Sequence, residues 1–579
     1  MNYTELKKRA LESYFSELND KQREAVFQIN GPVKIIAGAG SGKTTVLVNR
    51  IVNMVLFGSA YHDEGVKRLS AEQEKFLKDF PDMEKTPEAA RKLADIIAVK
   101  PVQPWNILAV TFTKKAADEL YGRIAQKLGK DTAAKITART FHSICNRLLI
   151  KELGGDTFKI CGSHKSESVP SSEDVIREAA EEQSIEFIKN IGFTLKKVKN
   201  KISNLKREGK TPEQYDREVP ADDEDEVNIS VIYKEYESKL KEKGLLDFDD
   251  LILKMVKLVE DDDNVRNHYR NLYKYIMVDE YQDTDDMQYR FLDALAGKSG
   301  NICVVGDDDQ SIYAFRGAVV DNILSFESKH ENCKVIRLEQ NYRSTKTILN
   351  AANTIIEKNK KRDKKTLWSD LDEGCRIRIE RYDSPEEEAR AVAGEIAETV
   401  KNSGGKIKFS DFAVLYRASN TSLARQTLIS ELMDRQVGCS VSKKDEYDEV
   451  ADEDTEDYET EIAPSGNGAG NEVKVMTIHS AKGLEFPIVY IIAANDNSMP
   501  FYNAKSESEI EEERRLAYVA VTRAKERLVI TYPQKDSKNH THDLSRFFRD
   551  IPNELCERNA AEAEKERRVA AIIKLLSAE

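Results

Sequence analysis

The stretch PVKIIAGAGSGKTTVLVNRIVNMVLF, residues 32–57, admits few folds. An apolar run ends in a glycine-rich turn, and a helical pattern follows. A buried strand feeding a helix through such a turn aims several backbone N–H groups and the helix N-terminus at one point, which suits a phosphate. The turn is Ala37, Gly38, Ala39, Gly40, Ser41 and Gly42, with Ala37 where the usual pattern has its first glycine. Lys43 is placed to reach the β- and γ-phosphates and Thr44 to hold Mg²⁺, with Thr45 next in line. A glycine-rich turn alone is a weak signal. The strand before it and the helix after it make nucleotide binding the stronger reading.

The other half of such a site is a buried strand ending in acid, and YKYIMVDEYQD (273–283) supplies one. Asp279 falls at the strand tip, within reach of Mg²⁺, and Glu280 beside it is placed to polarise an attacking water. In VVGDDDQSIYAFRGA (304–318), Gln310 follows another apolar run; an amide senses a γ-phosphate by hydrogen bonding without titrating. Arg343 and Arg523 lie far along the chain from the turn. Arginines from a second domain that neutralise the charge of phosphoryl transfer couple hydrolysis to domain motion.

Nine short β-branched runs alternate with helical patterns: VKIIA, NILAVTF, YKYIMVDE, NICVVGD, CKVIRLE, FAVLYR, VKVMTIH, PIVYIIAA and RLVITY. This is the signature of parallel sheets covered by helices, and the number of runs fits two α/β domains better than one. Residues 58–101 and 163–243 are polar and helical in pattern. LKKVKNKISNLKREGK (195–210) reads as a solvated basic helix face. Residues 440–472 are acidic and end in a Gly/Ser-containing run, which reads as a linker, and 560–579 as a charged amphipathic helix. Seven cysteines form no CxxC pair or Cys/His cluster, which argues against a metal cluster. No stretch has the apolar length of a membrane span, and a cytoplasmic protein is expected. The net charge of −13 disfavours a nonspecific nucleic-acid coat but leaves room for a local basic groove.

In this order, these stretches resemble the UvrD/Rep/PcrA family of superfamily 1 DNA helicases. LNDKQREAV (18–26) is similar to the family's adenine-reading Q motif with Gln22, AGAGSGKTT to motif I, AVTFTKKAADEL (109–120) to motif Ia and TARTFHSI (137–144) to motif Ib. GLLDFDDLI (244–252) matches the DFDDL segment, VDEYQD motif II, GDDDQSIYAFRGA motif III and LEQNYRS motif IV. VMTIHSAKGLEF (475–486) matches motif V, and EEERRLAYVAVTRAKERL (511–528) motif VI.

The resemblance implies an α/β fold: two RecA-like P-loop domains with parallel sheets and a helical accessory subdomain. The expected division is 1–145 and 244–335 for the first domain, with the helical insert 58–101, and 146–243 for the accessory subdomain. The second domain takes 336–439 and 473–552, the linker 440–472, and a terminal helix 553–579. The resemblance further implies ATP with Mg²⁺, Tyr342 stacked on adenine, Glu485 on the ribose, and Arg343 and Arg523 as arginine fingers. Relatives often carry Arg where this chain has Thr45, so looser base selectivity is expected. Phe112, Tyr313 and Phe315 match base-stacking positions, Phe315 standing where relatives usually have Trp. Thr113, His142, Arg316, Arg417 and His479 match positions near DNA or in its coupling to the ATP site.

The expected substrates are single-stranded DNA and 3′-tailed duplex, with 3′ to 5′ movement in repair, recombination or replication, and no membrane partner. Between Arg343 and Thr477 there is little room for the second accessory subdomain of the family, which is expected to be missing. The alternatives are a motor subunit with a separate nuclease or repair partner, as in phage-defence complexes, and a nucleic-acid-gated ATPase switch.

Overall fold

A computed structural model describes the chain except residues 156, 163–168, 188–192, 298–299, 418–421, 443–459, 463–469, 536–539 and 559–579. Two compact units are distinguished: Met1–Ile36, Lys43–Gly306 and Tyr313–Leu338 form the first, and Ala37–Gly42, Asp307–Ile312 and the chain from Glu339 onward the second.

The first unit contains β1 (Val33–Ala37), β2 (Ile107–Thr111), β3 (Thr137–Thr140), β4 (Lys159–Ile160), β5 (Leu245–Leu246), β6 (Tyr275–Val278), β7 (Asn301–Gly306) and β8 (Lys334–Leu338). Six of these make one sheet in the order β3-β2-β6-β7-β1-β8, and the pairs from β3 to β1 are parallel. Every residue of β1 and β2 is buried, as a sheet covered on both faces requires. Because β7 lies between β1 and β6, the strand ends that precede the glycine-rich turn and the paired acids fall on the same edge of the sheet.

The helix Phe141–Leu153 buries Phe141, Ile144, Leu148 and Leu149 in the sheet's core, so the domain edge expected at residue 145 falls inside an element of that core. Beyond it, the helices Ser172–Glu182, Leu195–Arg207, Pro212–Glu218 and Glu224–Lys243 build a separate core around Val175, Val198, Ile202, Ile229 and Tyr233. The parallel pair β4 and β5 closes the neck of this excursion. The basic helix is not an open cationic face. Lys197 pairs with Asp225 at 2.6 Å, Lys199 with Glu173 at 3.2 Å and Lys201 with Glu226 at 2.8 Å. Lys206 is fully buried against Glu237, Asp247 and Asp250. The 58–101 insert carries the helices Ala71–Asp79 and Pro87–Ile97, and its ends meet in a bridge between Gly58 and Val99. At Gly58, with φ +60°, a Cβ would lie 2.2 Å from the Val99 carbonyl oxygen, so only glycine fits.

The second unit contains β9 (Ile377–Tyr382), β10 (Phe412–Tyr416), β11 (Cys439–Ser442), β12 (Thr460–Ile462), β13 (Val473–Thr477), β14 (Phe486–Ile491), β15 (Ala524–Pro533) and β16 (Cys556–Arg558). They form one sheet in the order β12-β11-β13-β10-β14-β15-β9-β16, parallel apart from the β11–β12 pair. Besides the edge at residue 145, three more differ from the sequence expectation. β8 extends past residue 335, the linker 440–472 contains β12 and most of β11, and β16 adds to the sheet beyond residue 552. Residues 443–459 and 463–469 of the acidic stretch, and 559–579 of the expected terminal helix, lie outside the described residues. No described helix is long and apolar enough to cross a membrane.

Glu388, on the helix Pro385–Asn402, is buried in this unit. One carboxylate oxygen accepts from Ala493 N at 3.0 Å and Thr531 Oγ1 at 2.5 Å, and the other has no partner. Burial pushes the carboxyl up to about 7. Between its ordinary value and pH ~7, the folded chain holds a proton that the unfolded chain has released, so stability falls as pH rises through this window. Glu388→Gln is expected to gain up to about 3 kcal/mol over the wild type at pH 8, and little at pH 4.5. Urea unfolding of both proteins at the two pH values checks this; an equal difference at both would refute it.

Candidate nucleotide and nucleic-acid sites

In the first unit, Lys43 opens the helix Lys43–Leu56, and its Nζ lies 3.0 and 3.1 Å from the two oxygens of Glu280. Glu280 has φ +49°, a costly conformation for a side-chain-bearing residue, at the turn that follows β6. Gln282 Nε2 donates to Glu280 Oε2 at 2.6 Å. Asp279 N donates to Val110 O, which fixes the acid at the strand tip. Burial first, and the neighbouring Glu280 second, push the Asp279 carboxyl up to about 7 against the pull of Lys43. Two carboxylates facing one ammonium leave this corner short of positive charge. That donor set fits Mg²⁺, which Asp279 and the half-buried Thr44 would hold.

Gln22 is buried and forms a reciprocal cap with Asn19 at the start of the helix Asp20–Phe27. The buried Arg50 donates to Ala25 O at 2.6 Å, to Ile29 O at 3.3 Å and to Gln28 O, while Asn53 Nδ2 donates to Val26 O at 3.1 Å. The helix behind Lys43 is thus fastened to the segment that carries Gln22. Thr45 is half-buried, and its carbonyl accepts from Asn49 Nδ2.

Of the residues matched to DNA contacts in this unit, Phe112 is half-buried with its ring 5.6 Å from that of Phe141. Thr113 is exposed, and its hydroxyl caps the helix Lys114–Leu128 by accepting from Ala116 N. The His142 ring lies 4.5 Å from that of Phe248; burial pushes it down to about 4, so it is neutral near pH 7. Tyr313 and Phe315 stand edge to face at 6.0 Å, with the Arg316 guanidinium over both rings and Phe315 41% exposed. Arg207, at the end of the basic helix, bonds Asp249 Oδ1 at 2.9 Å and Arg316 O at 2.8 Å. The accessory helices therefore hold the aromatic loop in place. Sequence reading missed this role because Arg207 lies in a run that looks solvated.

In the second unit, Asn341 Nδ2 donates to Ala39 O at 2.7 Å, and Tyr342 N to Gly40 O at 3.0 Å. At Gly40, with φ +65°, a Cβ would lie 2.5 Å from Asn341 Nδ2, so the turn accepts no side chain there. Tyr342 is 50% exposed, and its hydroxyl donates to Gln340 Oε1 at 2.9 Å. Arg343 Nε donates to Glu485 at 2.6 Å and its Nη1 to Thr522 O at 3.2 Å; Glu485 also pairs with Lys525. The buried Arg523 donates to Val519 O, Leu484 O, Thr522 Oγ1 and Gln310 Oε1. Lys482 Nζ reaches Gln310 O at 2.8 Å. Arg417 is held by both oxygens of Glu513, over the ring of Phe501. His479 lies half-buried in the turn after β13, where its carbonyl accepts from Lys482 N.

The model of the UvrD/REP helicase N-terminal domain matches residues 18–64 and 85–331, and that of the UvrD-like helicase C-terminal domain matches 336–448 and 457–535. The unmatched residues 65–84 fall within the 58–101 insert. The chain is 30% identical to the ATP-dependent DNA helicase PcrA of Bacillus subtilis (strain 168), with 96% of this chain and 88% of that protein aligned. It is 31% identical to PcrA of Staphylococcus aureus (strain Mu50), over 95% and 88% respectively. The first alignment runs over 708 positions, 129 more than the 579 residues of this chain, so the relative carries sequence that this chain lacks.

Proposed function

Because the chain belongs to the UvrD/REP helicase family, we propose that it is an ATP-dependent DNA helicase moving 3′ to 5′ along single-stranded DNA. The observation that carries this reading is the Lys43–Glu280 pair beside the buried Asp279. A phosphate chain entering the glycine-rich turn draws Lys43 off Glu280 and frees that carboxylate to orient water. Mg²⁺ at Thr44 and Asp279 would neutralise phosphate charge. Arg343 and Arg523 stabilise the transferring phosphoryl group, Gln310 reads its presence, and hydrolysis is coupled to closure of the two RecA-like domains.

Adenine stacks on Tyr342, and DNA bases on Phe112, Tyr313 and Phe315, which suits movement along any sequence. The acidic stretch 440–472 stands where relatives have their second accessory subdomain; the break in the C-terminal domain match between residues 448 and 457 supports the place, and the surplus positions in the PcrA alignment support the missing length. The cellular role proposed is DNA repair, recombination or replication.

Steady-state ATP hydrolysis with Mg²⁺, alone and with single-stranded DNA or RNA, tests this function, followed by unwinding of 3′-tailed and 5′-tailed duplexes. Strong stimulation by DNA and unwinding of the 3′-tailed substrate are expected. A response to neither nucleic acid would refute an autonomous motor and favour the switch or the complex subunit.

A further inference from the structure

The run KNKKRDKK (358–365) has the composition of a solvated tail, yet two of its cations turn inward, Lys365 buried and Arg362 half-buried. Lys365 is 5% exposed, and its Nζ lies 2.9 Å from Asp307 Oδ1, 2.8 Å from Asp308 Oδ1 and 2.7 Å from Asp309 Oδ2. Arg362 grips Asp309 through Nε at 2.8 Å and Nη2 at 2.6 Å. Asp363 N donates to Asp308 Oδ2 at 2.9 Å. Three buried carboxylates thus face one buried and one half-buried cation.

The second oxygen of Asp307 is turned elsewhere and accepts from Gln310 Nε2 at 2.6 Å. A carboxamide has one donor face and one acceptor face. With the donor face committed to Asp307, the acceptor Oε1 points to Arg523 Nη2, at 3.3 Å. The opposite flip would set Oε1 against a carboxylate and the NH₂ group against a guanidinium, repulsive on both sides.

We propose that Asp307, anchored by Lys365, is a positioning residue that selects the amide flip of Gln310 and thereby holds the arginine finger Arg523 in its working orientation. This rests on the reading of Gln310 and Arg523 given above. Asp308 and Asp309 take part in the same buried network, but neither accepts from the Gln310 side chain. Their role is to hold Lys365.

Asp307→Asn is the informative change because it is nearly isosteric and removes the surplus negative charge, so folding is not its weak point. Lys365 still demands an oxygen on its side, which turns the new NH₂ group toward Gln310. Gln310 must then flip, setting donor against donor at Arg523. DNA-stimulated ATP hydrolysis is expected to lose about 10-fold to 100-fold in kcat, with KM for ATP within about twofold. Asp307→Asn in a Gln310→Ala background is expected to cost nothing more. Asp308→Asn is expected to keep kcat within about threefold, and urea midpoints confirm folding. Should Asp307→Asn not fold, Asp307→Ser replaces it: its hydroxyl both donates and accepts, so the flip of Gln310 is no longer selected, and a smaller loss in kcat, about 3-fold to 10-fold with KM for ATP unchanged, is expected.

Loss in Gln310→Ala and Arg523→Ala with none in Asp307→Asn would overturn the proposal and leave the reading of the site standing. Equal losses in Asp307→Asn and Asp308→Asn would overturn it in favour of general packing. Full activity in Gln310→Ala and Arg523→Ala would overturn both the proposal and the reading on which it rests.

Discussion

Glu280→Gln is expected to lower DNA-stimulated ATP hydrolysis by roughly 10²–10⁴-fold while nucleotide binding persists. The substitution preserves size and hydrogen bonding, so Gln282 keeps a partner. What disappears is the basic oxygen that can orient and polarise water. The left-handed backbone at Glu280 places this carboxylate beside Lys43, and the cost of that conformation is explained by a role at this point. The resting Lys43–Glu280 pair predicts a second signature. With glutamine in place, Lys43 no longer has the Glu280 ion pair to break and faces only the Asp279 carboxyl, so fluorescent ATP analogues should bind at least as tightly as to the wild type. A variant that hydrolyses ATP within about threefold of the wild type would remove Glu280 from the chemistry.

Arg343→Ala is expected to cost more, on the order of 10³–10⁵-fold in kcat, as the arginine-finger role proposed above requires. Arg343 is suited to this loss being chemical, because its side chain is 13% exposed and is tied to the fold by Glu485 and one carbonyl. Glu485→Gln separates the two contributions. It weakens the tether without removing the guanidinium, and because Lys525 also pairs with Glu485, a loss of less than about tenfold is expected. Single-turnover hydrolysis with and without DNA measures both. Equal losses in the two variants would mean that Arg343 serves the packing around Glu485 and not the phosphate.

All nine apolar runs read from the sequence are strands; β1, β2 and β10 are buried along their whole length, which leaves an apolar run that no solvated helix shares, while β8, at a sheet edge, keeps only the alternation of Ile336 and Leu338 inward. The strands that were not legible are polar or short. β3 is TART, at the edge of its sheet, with one buried residue of four. β9 is IRIERY, whose Arg378 is matched by Glu380 and Glu395, so its charges mask a pattern of burial. β11 and β12 lie in a stretch whose acidity reads as linker. The candidate site divides in the same way. Lys43, Asp279 and Glu280 could be found because each sits at the end of an apolar run. Arg50, Asn341, Arg362 and Lys365 could not, because what sets them apart is a partner tens or hundreds of residues away.

The two excursions from the first sheet share a trait in how they are attached. The 58–101 insert leaves and returns through the Gly58–Val99 bridge, and the accessory helices through β4 beside β5. Each begins and ends at neighbouring points, so the chain on either side is directed identically whatever lies between. Such attachments make additions and losses of tens of residues nearly neutral for the strands that carry the chemistry. The span of a protein built this way records its history of embellishment, and two members of very different length can run on the same working parts.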